Sequence, residues 1–176
     1  MLTNKQIANG LITGALSVEP LTDKQIQLTG IDLTLGNEFT VTSLKEGETF
    51  VRPYNFEDSK KVIATKSSGT YMLSPGSFVL AHTKEVVRLD NQHCARLNGK
   101  STLARHGVQV HMTADNIHPG WDGTIVLEIT NVGNYPILLE ENMPIASISF
   151  TKLSEPVDLD KYCSKYQGQQ GAQIAK

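Results

Sequence analysis

Apolar residues recur at two different intervals in this chain, and the change from one to the other comes early. Near the start, Ile7, Leu11 and Ile12 are placed to line one side of an α-helix. Thr3 and Gln6 precede them in the arrangement of a capping box, so residues 3–9 are expected to form a short helix running into a turn near Gly10. The string "LTNKQI" at 2–7 returns almost unchanged as "LTDKQI" at 21–26. No third copy follows, which marks two similar helix or turn starts and not a repeat architecture.

From Ile31 onward the chain breaks into short runs of β-type residues. They are "EFTVTS" (38–43), "KVIAT" (61–65), "GTYML" (69–73), "SFVLAHT" (77–83), "EVVRL" (85–89), "GVQVHMT" (107–113), "GTIVLEITN" (123–131), "YPILLE" (135–140) and "IASISF" (145–150). Turn chemistry separates them at Pro75-Gly76, Asp90-Asn91, Pro119-Gly120 and Gly133-Asn134. Many short strands at such spacing predict an all-β sandwich, barrel or jelly roll. Beyond the N-terminal piece, helix is expected only as a turn or two over 101–106. The tail, "KYCSKYQGQQGAQIAK", is polar and without period, and taken alone it reads as a flexible terminus.

The 176 residues suit one domain with a sizeable core. With 39% hydrophobic and 19% charged residues, the balance argues against disorder. A net charge of −2 excludes the broad basic field of a nonspecific nucleic-acid binder, so a polyanionic ligand would need a local cationic cluster. The only cysteines are Cys94 and Cys163, too few for a disulfide framework or a Cys-rich zinc site. The opening "MLTNKQIANG" lacks the apolar core of a signal peptide and no window approaches a membrane span, which makes the cytoplasm the expected location.

Candidate chemistry concentrates in four places. "GKSTLARHG" (99–107) looks like the end of a P-loop, but Cys94 stands where the earlier glycine is required, and that reading fails. Its elements still suit an anion: Ser101 and Thr102 open a helix with free backbone N–H groups, and Lys100 and Arg105 stand near enough to flank a phosphate. A capped surface helix with solvated charges explains the same residues, and by themselves they favour it. In "TIVLEIT", alternation puts Ile125, Leu127 and Ile129 on one face and Val126, Glu128 and Thr130 on the other. A glutamate there is ordinarily a surface residue; partial burial would ready it for proton transfer near neutrality. "NIHPGWDG" (116–123) reads as a tight turn with Trp121 packed beneath it and His118 at its lip. The five histidines, His82, His93, His106, His111 and His118, form neither the zinc-deaminase signature nor a helical ligand pair, so no transition metal is expected.

Together these segments resemble the dCTP deaminases, a branch of the trimeric dUTPase superfamily. The likeness runs through "GIDLTLGNEF" (30–39), "LSPGSFVLAHTKEVVRL" (73–89), "GKSTLARHGVQVHMTADNIHPGWDGTIVLEITN" (99–131) and "SKYQGQQGA" (164–172). A G-[RK]-S-[ST]-x-x-R segment, a P-G-[WF]-x-G turn, an L-E strand and a K-Y-Q-G-Q-x-G tail follow in the family's order. The resemblance implies one dUTPase-like β domain over 1–176, a distorted jelly roll or β-barrel, with 161–176 as a C-terminal lid that orders on binding.

The implied activity is conversion of dCTP to dUTP and ammonia by metal-independent attack of water on cytosine C4, feeding thymidylate synthesis. Glu128 falls on the family's general acid/base, Ser101 on the serine that helps position the water, and Arg105 on the nearby arginine. The Ala114 carbonyl falls where the amino group and water are oriented. Lys100, Ser101, Thr102, Leu103, Ala104 and Arg105 match the phosphate-contacting stretch, usually donated by a neighbouring subunit, and Val126 and Leu127, beside Glu128 on its strand, are placed among the substrate-binding residues. Lys165, Tyr166 and Gln169 match the tail over the triphosphate, and Tyr162 is placed as the tyrosine that packs on the nucleotide. The resemblance further implies Mg²⁺ bound through the triphosphate, no zinc, a homotrimer with sites at subunit interfaces, and dTTP as a candidate inhibitor.

One departure bears on the product. Relatives usually carry an aspartate where His118 stands, a carboxylate that holds the deoxyribose 3′-hydroxyl. A neutral imidazole can also hydrogen-bond a hydroxyl. In the superfamily's triphosphate-cleaving members the same aspartate helps activate water toward the α-phosphate, so His118 weighs against onward cleavage of dUTP. Two alternatives stay open: a bifunctional enzyme that proceeds to dUMP and pyrophosphate, and a catalytically silent regulatory trimer that binds nucleotide.

Overall fold

The computed structural model describes residues 1–161 and 164–175. Helix α1 (Asn4–Thr13) opens on the expected cap: the Thr3 N–H donates to Gln6 Oε1 at 2.9 Å. The helix does not turn at Gly10. It continues to Thr13 and closes on Gly14 in the left-handed region (φ 75°). Gly10 serves packing instead, since a Cβ there would come within 2.8 Å of the Leu16 side chain. Ile7 is fully buried, whereas Ile12 is 84% exposed, so the apolar face is narrower than its spacing predicted. The second copy of the string caps a 3₁₀ turn over Asp23–Gln25, where the Thr22 N–H donates to Gln25 Oε1 at 2.9 Å.

Among the described residues twelve strands follow: β1 (Leu16–Glu19), β2 (Ile31–Thr34), β3 (Glu38–Leu44), β4 (Val62–Ser68), β5 (Thr70–Leu73), β6 (Phe78–Leu89), β7 (His93–Gly99), β8 (Val108–Gln109), β9 (Asn116–Ile117), β10 (Asp122–Asn131), β11 (Ile137–Glu140) and β12 (Pro144–Lys152). The large sheet has the order β4-β3-β6-β10-β8, with β1 also paired to β6. A second sheet runs β2-β12-β7-β9, and β11-β5 form a ribbon. Residues of both main sheets build one core, among them Phe39, Leu127 and Ile129 from the first and Leu33, Ile148 and Phe150 from the second. The result is a distorted β-sandwich, not a closed barrel. The described residues hold two further short α-helices, α2 (Phe56–Ser59) and α3 (Ser101–Arg105). The latter meets the expectation for 101–106, and the former lies in a segment with no helical periodicity.

Several local differences have identifiable causes. The runs at 77–83 and 85–89 form one strand, β6, which takes up a register shift against β10 as a bulge: between the pairs Thr124↔Val86 and Val126↔His82, Thr83, Lys84 and Glu85 stand opposite Ile125 alone. The Ile125 N–H donates to Thr83 Oγ1 (3.0 Å) at that shift. "GVQVHMT" is strand only at β8, since the Met112 N–H turns away to a side chain (below) and Val110 turns into the core. Strand β7 carries Ala95, Asn98 and Gly99, poor strand formers. Pairing with β12 from Gly99↔Ala146 to His93↔Lys152 makes it one.

Candidate functional site

Strand β10 supplies the candidate base. Its odd positions Ile125, Leu127 and Ile129 are buried in the core, which turns Val126, Glu128 and Thr130 to the outer face as alternation predicted. Glu128 is half-buried there and accepts the Met112 N–H at 3.0 Å (Oε2). That bond ties the loop 110–115 to β10, and Ala114 lies exposed two residues beyond Met112 in that loop. The Leu97 N–H donates to the Asp115 carbonyl at 2.9 Å and fixes the loop's far side. Leu127 is fully buried, so at this position the side chain is out of reach of any ligand.

The cationic segment sits past the other end of β10. After α3 the chain turns at Gly107 (φ 82°), whose carbonyl accepts the Val132 N–H at 2.8 Å, and β8 pairs with Thr130 and Asn131. Ser101, Thr102, Ala104 and Arg105 are exposed, while Leu103 is anchored in the core. Lys100 does not project freely: its Nζ pairs with Asp32 Oδ2 on β2 at 2.6 Å. Among the described residues, no hydrogen bond or ion pair joins Glu128 to Ser101 or Arg105 within this chain. Asp32 lies inside "GIDLTLG", and its opposite charge to Lys100 was the only signal that could have paired them.

The turn 116–123 behaves as expected, with Trp121 half-buried against the core and its Nε1 donating to the Gly123 carbonyl at 3.2 Å. His118 is exposed at its lip. The end of the chain docks on this turn. The Gly168 N–H donates to the Asp122 carbonyl at 2.8 Å, and the Thr124 N–H donates to the Gln169 carbonyl at 3.1 Å. Gln169 is buried, its Nε2 donating to the Thr124 carbonyl at 3.1 Å. A side chain at Gly123 would stand 2.9 Å from the Gln169 carbonyl oxygen, so glycine is what lets the tail approach. Lys165 is exposed with its Nζ 5.0 Å from the Tyr166 ring centroid. Tyr162 lies outside the described residues. The tail, read alone as flexible, is thus held by backbone pairing that its polar sequence does not announce.

The described residues therefore collect around β10: a half-buried carboxylate at its middle, a glutamine- and lysine-bearing tail at its start, and a serine–arginine helix beyond its end. Among those residues no helix is long and apolar enough to cross a membrane.

The family model described as dCTP deaminase-like matches residues 1–153. The dCTP deaminase, dUMP-forming, of Dictyoglomus turgidum is 37% identical, with 100% of this chain and 94% of that protein covered. The dCTP deaminase of Haloarcula marismortui is 35% identical, again covering 100% of this chain and 94% of the relative. Among solved structures, the 2′-deoxycytidine 5′-triphosphate deaminase of Agrobacterium tumefaciens superposes with a TM-score of 0.64 at 21% identity, covering 87% of this chain and 48% of that one. The present chain thus spans about half the length of that structure. The EIAV dUTPase gives a TM-score of 0.52 at 17% identity over 84% of this chain and 98% of that one. Both structural likenesses concern the fold alone. The match over most of the chain, together with full-length identity above 30%, shows that this chain belongs to the dCTP deaminase-like family.

Proposed function

We propose that this protein hydrolyses the C4–N bond of dCTP, releasing ammonia, with Glu128 as the proton carrier. The observation that carries the reading is Glu128 itself, half-buried on the outer face of β10 beside a loop it holds by the Met112 amide. Glu128 takes a proton from water as its oxygen bonds to C4, and N3 of the ring is protonated. The tetrahedral carbon then collapses, the C4–N bond breaks, and the departing nitrogen leaves as ammonia with the proton relayed by the carboxyl. Ser101 and the Ala114 carbonyl orient the water and the amino group. The exposed cytosine edge would meet the backbone of Val126 and Leu127.

The substrate is read as the magnesium complex of dCTP, with Lys100, Arg105 and Lys165 answering the remaining phosphate charge and Thr102 and Gln169 adding hydrogen bonds. In this reading the site is completed by a neighbouring subunit of a homotrimer, an arrangement compatible with Ser101 and Arg105 making no bond to Glu128 among the described residues.

The product is dUTP in this reading. A second reading, onward hydrolysis to dUMP, is supported by the names of the Dictyoglomus and Methanosphaera relatives, each a dUMP-forming dCTP deaminase. His118 weighs against it, since an imidazole replaces the carboxylate that would activate the second water. One experiment decides among these outcomes: incubation with dCTP and Mg²⁺, quantifying ammonia, dUTP, dUMP and pyrophosphate, for wild type and Glu128→Gln. Ammonia with dUTP is expected, and the variant is expected to lose at least about a thousandfold in kcat while still binding dCTP. Pyrophosphate alongside ammonia selects the second reading. Tight binding without ammonia from wild type makes the chain a silent binder.

A further inference from the structure

The end of the chain is held at two places, and only the first belongs to the turn already described. Beyond Gln169 the tail leaves β10, passes β6 and reaches β3. There the Ala172 N–H donates to Glu38 Oε1 at 2.8 Å, and the Ala172 carbonyl accepts from Thr40 Oγ1 at 2.7 Å. Thr40 and Ala172 are both fully buried. Only Gln170 and Gly171 separate the two holds.

Glu38 is built for this contact. The oxygen that accepts the Ala172 amide also takes the Lys66 ammonium at 2.9 Å. Lys66 draws the Glu38 carboxyl below its usual range against the opposing effect of burial, with the Ala172 amide adding to the pull. A charged acceptor makes the stronger bond to a backbone N–H. Gly171 adopts φ 69°, and a Cβ there would fall 2.7 Å from Glu38 Oε1. Terminal segments are ordinarily frayed unless tied down.

We infer that Glu38 is a positioning residue for nucleotide binding: with Thr40 it clamps Ala172 and thereby fixes the register of the tail that carries exposed Lys165 and the buried Gln169. The inference rests on the reading of those two side chains as triphosphate contacts. Glu38 touches neither substrate nor reacting atoms; it acts through the tail.

The test uses the full-length protein and two readouts, amide hydrogen exchange and steady-state kinetics with dCTP and Mg²⁺. In Glu38→Ala, exchange at Ala172 and at Thr124 is expected to accelerate by about tenfold or more with circular dichroism unchanged. KM is expected to rise by about tenfold while kcat stays within about twofold. Glu38→Gln retains an acceptor oxygen and is expected to recover most of both losses. Unchanged exchange in folded Glu38→Ala overturns the clamp. Faster exchange with unchanged KM, or a fall in kcat at constant KM, overturns the positioning role. If the wild type neither binds nor turns over dCTP, the nucleotide reading fails and the positioning role with it, while exchange still reports whether Glu38 holds the tail.

Discussion

Position on a strand and contribution to chemistry are separate matters, as neighbours on β10 illustrate. Glu128 and Leu127 are adjacent in sequence, yet one faces a potential ligand and the other is fully enclosed by core. Leu103 is in the same position within α3, between exposed Thr102 and Ala104. A family match at these two leucines therefore concerns their backbone. Leu127→Ala is expected to lower stability by about 2–5 kcal/mol, because a buried side chain is replaced by a cavity. Urea denaturation with KM measured on the folded fraction checks this: a large shift in midpoint with little change in KM is the expected result. Lys100 makes the complementary point. Its ammonium already has a partner in Asp32, so a phosphate must compete with that ion pair or join it.

The arm between β3 and β4 is held by a different kind of interaction from the sandwich. It exposes Phe50, Tyr54 and Phe56 and has a carboxylate at its centre: Asp58 is 2% exposed. Arg52 approaches Asp58 through its Nε at 2.7 Å and its own N–H at 2.9 Å, and Lys61 adds a contact at 3.3 Å. The Arg52 guanidinium, followed by its backbone amide, holds the Asp58 carboxyl far below the ordinary carboxylate range. A depressed folded-state pKa contributes stability that is complete above the unfolded value, near about pH 4, and is lost as the pH falls through the folded value. The arm is therefore expected to stay closed as the pH is lowered past about 4, where ordinary carboxylates protonate. Asp58→Asn is expected to open it at neutral pH, raising tryptic cleavage within residues 45–61 by about tenfold. Equal cleavage in variant and wild type would remove the charge network from this role.

Taken as one body, the chain spreads its proposed site over three places that a single copy does not close up. The carboxylate, the tail and the serine–arginine helix all border β10, but the helix makes no bond to Glu128 among the described residues. Closed ring symmetry allows one subunit's helix to complete its neighbour's site. Glu128→Gln and Arg105→Ala chains are each expected to be inactive alone. Mixed, dissociated and reassembled, they are expected to regain roughly a quarter of wild-type activity, since random assembly pairs intact halves at one interface in four. No recovery, with reassembly verified by mass, would mean that each site is built within one chain.

Local chemistry and alternation were enough for much of this. The capping box at Thr3 and Gln6, the two faces of "TIVLEIT", the turn at Pro119-Gly120 and the short helix at 101–106 depend on residues close in sequence, and each forms where its pattern places it. Contacts between distant segments left no such mark. Strand β7 exists because β12 pairs with it, Gly10 is small because Leu16 crosses it, and the tail is ordered because Thr124, Thr40 and Glu38 receive its backbone. A backbone hydrogen bond depends little on side-chain identity, so no periodicity in "KYQGQQGAQ" could reveal where its amides would go. The motif supplied the chemical groups; folding supplied their distances.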